Sequence, residues 1–161
     1  MSAPLPPADL ASRKPAIVTL AQDVIIERFF TAAYAPIYFG RTQKGRLDAP
    51  DGSYGVLYAA EQLQGAFAET FLREPGRTLL PLDLIRRTAR VRFQITRKLK
   101  LIKFMGNGLA RLGATAEVVH GGLPYAVPQA WSKALHDHPT RPDGIAYLGR
   151  HDARLHPLPA S

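Results

Sequence analysis

Apolar and polar residues alternate along RVRFQI. Val91, Phe93 and Ile95 are apolar, and Arg90, Arg92 and Gln94 stand between them. A period of two predicts a half-buried strand with a basic outer face. The β-branched stretch in DVIIERFF predicts an earlier strand entering the core. TAAYAPIYFGRTQKG then reads as a connection carrying an aromatic patch, Tyr34, Tyr38 and Phe39. In the turn APDG, Pro50 fixes φ at the first central position and Gly52 tolerates positive φ. YGVLYAA predicts a strand of about six residues. From Glu61 the period changes. Leu63, Ala66, Phe67, Thr70 and Phe71 fall at i, i+3, i+4, i+7 and i+8, one face of a helix that Pro75 and Gly76 of REPGR should end.

The second half mixes the two periods again. TLLPLDLIRRTARVRFQI predicts one or two strands, and KLKLIKFMGNGLARLGA a short strand followed by a short helix around Leu109 to Leu112. YAVPQAWSKALHDHP predicts a helix from about Val127, with Pro128 in its first turn, where a missing N–H costs nothing. RPDGIAYLGRHD is a turn followed by a strand. Strands and helices do not alternate regularly, so the class is α+β, with antiparallel or mixed sheets and helices packed on them. The four prolines within residues 1–15 predict a flexible tail over that stretch, ahead of a single domain over residues 16–161.

Composition narrows the chemistry. A chain of 161 residues, 46% hydrophobic, can build one real core. With no cysteine, disulfides, thiolate nucleophiles and Cys-ligated zinc are excluded. No apolar run is long enough to span a membrane. MSAPLPPADLASRK lacks a basic region followed by an apolar stretch, so no signal peptide is expected and the protein is expected in the cytoplasm. A net charge of +8 suggests an anionic partner or a solvated basic face, and much of it sits in RRTARVRFQITRKLKLIK. That stretch lacks the aromatic interleaving of a single-strand platform, and no helix-turn-helix, RNP or zinc-finger pattern is present. Direct nucleic-acid binding is therefore not expected.

Neither a Walker loop nor a dinucleotide fingerprint occurs, and GNG at 106–108 reads as an isolated turn. His136 and His138 of HDH do not converge on one ion from a helix end; the expectation is a solvated helix terminus and no metal. Taken singly, Arg46 reads as a surface residue and Tyr58 as a core strand aromatic. Glu69 reads as a surface glutamate that can pair with Arg73 at i+4, about 130° from the centre of the apolar stripe.

Together these residues carry a resemblance. GRLDAPDGSYGVLYAA followed by AFAETF resembles the RES domain family, named for its arginine, glutamate and serine. The usual family form is Gly-Arg-Phe-(Asp/Asn)-x-Pro, a strand ending in Tyr, then a helix with Ala-Phe-x-Glu. IIERFF, GLARLGA at 108–114, YAVPQAWSKALHDHP at 125–139 and DGIAYLGRHD at 143–152 match in order, so the resemblance spans about residues 24 to 152. It implies a fold similar to ADP-ribosyltransferase toxins, with two small sheets forming a cleft. It implies the toxin of a bacterial toxin–antitoxin pair, whose helix-turn-helix antitoxin plugs that cleft.

The implied reaction consumes NAD+ by hydrolysis or phosphorolysis of the nicotinamide–ribose bond. Alternatives are ADP-ribose transfer to a protein, or a decayed module that only binds. Arg28 and Arg46 are then the pyrophosphate or ribose contacts, Tyr58 and more weakly Tyr38 the nicotinamide pocket, and Glu69 the carboxylate that steadies the ribosyl cation. On this assignment Glu69, Arg46 and Tyr58 carry catalysis, no metal is needed, and Asp48 and Glu61 are scaffold.

The sequence departs from the family form in three places. Gly149 stands where the family serine is expected, with Ser132 the nearest candidate replacement. Leu47 replaces an aromatic. The end, ARLHPLPAS, has Pro157 and Pro159 where another strand is usual, giving an atypical short C-terminus from about residue 153.

Overall fold

The apolar residues of LKLIKF divide between two cores, and that division organises the fold. The computed structural model describes residues 2–72 and 79–149, together with strand residues 154–155 and 158–159. In chain order the elements are β1 (Ile17–Leu20), β2 (Ile25–Thr31), β3 (Val56–Leu57), α1 (Leu63–Phe71), α2 (Leu82–Arg86), β4 (Thr88–Gln94) and β5 (Leu99–Lys103). There follow α3 (Asn107–Leu112), α4 (Ala116–His120), α5 (Ala126–His136), β6 (Gly144–Leu148), β7 (Arg154–Leu155) and β8 (Leu158–Pro159). The class is α+β, as expected.

A mixed sheet runs in the order β1-β5-β6-β7, with β5 and β6 parallel and the outer pairs antiparallel. On β5 and just beyond it, Ile102 and Phe104 enter a core with Leu109, Leu112, Val118 and Trp131 of the helices. Leu99 and Leu101 enter a second core with Ile26, Leu57 and Ile95. The period of two thus sends alternate residues to opposite faces, both buried. Helices cover one face. The antiparallel pair β2–β4 approaches the other, in a register that sets Glu27 opposite Arg92 and Phe29 opposite Arg90.

Several expectations change. The strand in YGVLYAA is only Val56–Leu57. Its backbone is shared among neighbours, with β8 on Val56 and Leu57, Gly40 on Val56, and Glu27 on Ala60, so no long ladder forms. On α1 the buried residues are Gly65, Ala66, Ala68 and Phe71, while Phe67 remains 38% exposed. The small residues let the helix lie close to β2, and Phe67 and Phe71 sit edge-on to Phe29 at 6.0 and 5.4 Å. The buried face is therefore rotated from the stripe read in the sequence. Gly65 and Glu69, at i and i+4, share a side of the helix. The expected stop at Pro75 and Gly76 lies outside the described residues, as does Arg73.

The start, expected to be a flexible tail, lies docked against the helices. Leu10, in a 3-10 turn at Leu10–Ser12, is 4% exposed and belongs to the helical core. Trp131 Nε1 donates to the carbonyl of Pro4 at 2.7 Å. His138, expected at a solvated helix end, is 4% exposed. Its Nε2 lies 3.2 and 3.1 Å from the carbonyls of Leu10 and Arg13, and the Thr140 N–H donates to its Nδ1. The proline content shapes a segment that docks, because α5 and the turn after it supply donors for its carbonyls. At the other end, β7 pairs with β6 and β8 with β3, so strand pairing continues past residue 153 despite the prolines; Pro157 lies outside the described residues.

Leu10→Ala should cost about 2–5 kcal/mol, the usual range for truncating a buried leucine. Leu5→Ala, at a side chain 63% exposed, should stay within about 0.5 kcal/mol. Chemical denaturation of the two variants measures both; equal, small effects would show that the N-terminal segment adds nothing to the core.

Candidate active site

Gly-Arg-Leu-Asp folds into a loop held from inside by one hydroxyl. Tyr58 Oη accepts the Leu47 N–H at 2.8 Å and donates to Asp48 Oδ1 at 2.9 Å. Asp48 Oδ2 accepts the Gly45 N–H at 3.0 Å. Asp48 and Leu47 are both buried. Burial pushes the Tyr58 hydroxyl well above its ordinary pKa, so it remains a proton donor to Asp48. A Cβ on Gly45 would collide with the Asp48 carboxylate and lie 2.8 Å from the Tyr58 hydroxyl oxygen, so only glycine fits before Arg46.

Helix α5 grips the loop from outside. Gln129 Nε2 donates to the carbonyls of Gln43 and Gly45 at 2.8 and 2.9 Å, and Ser132 Oγ donates to that of Leu47 at 2.7 Å. Ser132 also meets the Tyr54 hydroxyl at 2.7 Å and is 3% exposed. It is a loop anchor, which corrects its candidacy as a replacement for the family serine. Gly149 itself is buried two residues beyond Tyr147, which lines the cleft. Strand periodicity would turn residue 149 to the same side as Tyr147. Leu47 is fully buried in the helical core, so the position keeps its apolar role with a smaller side chain.

This loop, β2, α1 and the segment through Tyr58 enclose a cleft of about 470 Å³, lined among others by Arg28, Tyr38, Arg46, Tyr58 and Glu69. The structure thus brings together every site residue expected from the sequence. Tyr38 is 56% exposed at its position on the wall, and Glu69 is half-buried. The volume falls in the usual range for small-molecule sites, roughly 300–1,000 Å³. Among the described residues no three His, Cys, Asp or Glu side chains gather to hold a metal ion. His136 and His138 diverge, since His136 stacks on Tyr54 at 4.0 Å while His138 faces the N-terminal segment.

Glu27 is a cleft residue that the sequence reading passed over. Its carboxylate takes a bidentate pair from Arg90, at 3.0 and 2.9 Å, and lies 3.4 Å from Arg92 Nε. The hydrogen bonds from Arg90 hold its pKa below the ordinary 4.5, against a burial effect that raises it. Two cations of the basic strand face are therefore spent on one internal acid. The signal was available in the alternation, because an antiparallel pair sets opposite charges across from each other.

Arg28 and Arg46 differ from Arg90. Arg28 Nη1 donates to the Pro36 carbonyl at 2.8 Å, and burial lowers the pKa of its guanidinium, which stays charged. Arg46 Nη1 donates to the Val119 carbonyl, and its Cζ lies 5.1 Å from the centroid of Tyr125, a second lining residue that the sequence reading missed. No carboxylate among the described residues forms an ion pair with either arginine. The wall therefore presents cations held by neutral groups, suited to an anionic ligand.

The family model for the RES domain matches residues 25–156. The chain belongs to the RES domain family. No curated protein matches it. Among solved structures, the RES fold is shared with a chain of the M. tuberculosis MbcT-MbcA toxin-antitoxin complex. The TM-score is 0.65 at 14% identity, over 88% of this chain and 76% of that one. At that identity the likeness concerns the fold. No helix among the described residues of this RES chain is long and apolar enough to cross a membrane.

Two outcomes test the site's construction. Gly45→Ala should destabilise by about 1–3 kcal/mol through the forced shift of Asp48 and Tyr58. Gly122→Ala, where a Cβ meets nothing within 4 Å, should stay within about 0.5 kcal/mol. Glu27→Gln should cost about 2 kcal/mol at neutral pH. Because the folded carboxyl titrates below its unfolded value, that stability is present above about pH 4.5 and lost as pH falls through the lowered folded value. Denaturation of wild type and Glu27→Gln across pH 3–7 should converge at the acid end; a constant gap would overturn the ion-pair account.

Proposed function

We propose that this RES domain cleaves the nicotinamide–ribose bond of NAD+, as the toxin of a toxin–antitoxin pair. The carrying observation is the meeting of Arg28, Arg46 and Glu69, from three separated segments, in one cleft where both arginines lack a carboxylate partner among the described residues. The resemblance to RES toxins and the complex in which the structural neighbour occurs support the toxin reading.

The chemistry follows from the bond. The C1′–N bond breaks with its electron pair passing to the pyridinium nitrogen, so nicotinamide departs neutral and needs no general acid. The ribose becomes oxocarbenium-like, as in glycoside hydrolysis. Arg28 and Arg46 hold the pyrophosphate. Glu69 accepts hydrogen bonds from the ribose hydroxyls and places negative charge near the developing cation. Tyr38 offers an aromatic face at the cleft, and the Tyr58 ring forms part of the nicotinamide wall while its hydroxyl holds the loop. Water then adds to C1′ and releases a proton, giving ADP-ribose; phosphate adding instead gives its 1-phosphate.

A second reading has its own observation. With glycine at 149 and the Ser132 hydroxyl committed to Leu47 and Tyr54, a binding-only module keeps the cleft without turnover. Under the toxin reading the partner is a helix-turn-helix antitoxin and the setting the cytoplasm.

Purified protein should release nicotinamide from NAD+, and Glu69→Ala should slow release by about 100-fold or more, the usual scale for removing a transition-state charge contact. Equal, slow turnover by wild type and Glu69→Ala would sink the enzyme reading in favour of the binding module. Running the assay with and without phosphate separates hydrolysis from phosphorolysis. Label from NAD+ appearing on a macromolecule would identify transfer.

A further inference from the structure

Tyr125 stands at the N-cap position of α5, half-buried, with its ring on the cleft wall. The Arg46 guanidinium lies over that ring, its Cζ 5.1 Å from the centroid. One edge of the guanidinium is occupied, since Nη1 donates to the Val119 carbonyl near the end of α4. Another donor is not. Arg46 Nε is buried and has no hydrogen-bond partner among the described residues. A buried donor without an acceptor is unfavourable, so the site gains from an acceptor that reaches it.

The choice of a ring matters. A carboxylate beside Arg46 would fix the side chain but cancel its charge, as Glu27 does for Arg90. An aromatic face holds a cation by its quadrupole and leaves the charge to act on something else. The carbonyl of Val119 does the same from a second direction. The backbone beneath Arg46 is anchored by the same helix, through Gln129 to Gly45 and Ser132 to Leu47. Helix α5 and its N-cap residue therefore fix both the main chain and the side chain of one cation, and neither fixture neutralises it.

We propose that Tyr125 is a positioning residue that presents the Arg46 guanidinium to the pyrophosphate of a dinucleotide in the cleft. The proposal rests on the reading that the cleft takes such a ligand, and its test separates the two. The substitutions are Tyr125→Ala, which removes the face, and Tyr125→Phe, which keeps it and removes only the hydroxyl. Tyr125 makes no side-chain cap on α5, so neither change removes a helix cap.

The first measurement is binding of inorganic pyrophosphate by calorimetry at fixed ionic strength. Tyr125→Ala should weaken it by about 3–30-fold, the range of a cation–π contact, and Tyr125→Phe should restore most of the loss. The second is NAD+ turnover, in which Tyr125→Ala should raise KM by a similar factor with kcat little changed. Pyrophosphate binding that weakens in Tyr125→Ala, from a protein that releases no nicotinamide, would support the positioning role while ending the catalytic reading. Nicotinamide release with equal KM and equal pyrophosphate affinity in wild type and Tyr125→Ala would overturn the positioning role and leave catalysis standing. A wild-type protein that binds no pyrophosphate, or a Phe variant as weak as the Ala variant, overturns the proposal as well.

Discussion

The buried Tyr58 hydroxyl, bonded at once to Asp48 and to the Leu47 N–H, is the contact on which the cleft depends. A loop that turns inward carries backbone groups away from water, and each needs a partner. One phenol and one carboxylate supply partners for Leu47 and Gly45 and leave no room for a side chain at 45. The direction of Arg46 follows from this packing. Tyr58 thereby changes character: its hydroxyl is structural, and only its ring is left for a ligand.

Much of this was legible in the sequence. The period-two residues of RVRFQI and LKLIK mark strands that exist, and Arg46, Tyr58 and Glu69 share a cleft as their joint pattern implied. Other features were hidden for physical reasons. The face of α1 was read from its large apolar residues, but packing against β2 was decided by Gly65, Ala66 and Ala68, whose small size permits close approach. That rotation brings Glu69 from an expected outer surface to the wall. Tyr125, Gln129 and Ser132 act across the fold, on partners 79, 84 and 85 residues away, beyond the reach of any local period. The N-terminal segment looked like a tail because prolines suppress periodicity, yet its carbonyls remain good acceptors.

The excess of basic residues also resolves into different kinds. Arg90 and Arg92 are balanced by Glu27, and Arg97 by Asp143 at 2.8 Å. Arg13 pairs with Asp9, and Lys133 with Asp137. Within the cleft, Arg28 and Arg46 are held by carbonyls and a ring, and so stay electrostatically available. A formal charge of +8 is therefore a poor guide to where an anion would bind; the nature of each cation's neighbour is a better one.

The Trp131–Pro4 hydrogen bond joins residues 127 positions apart. A ribosome adding about 5–20 residues per second needs roughly 6–25 s between the two. During that interval the opening segment has been made but its dock has not, and Gln129 and Ser132 have not yet reached the Arg46 loop. The cleft therefore stays unassembled until α5 has left the exit tunnel, however early its loop and the opening segment were made.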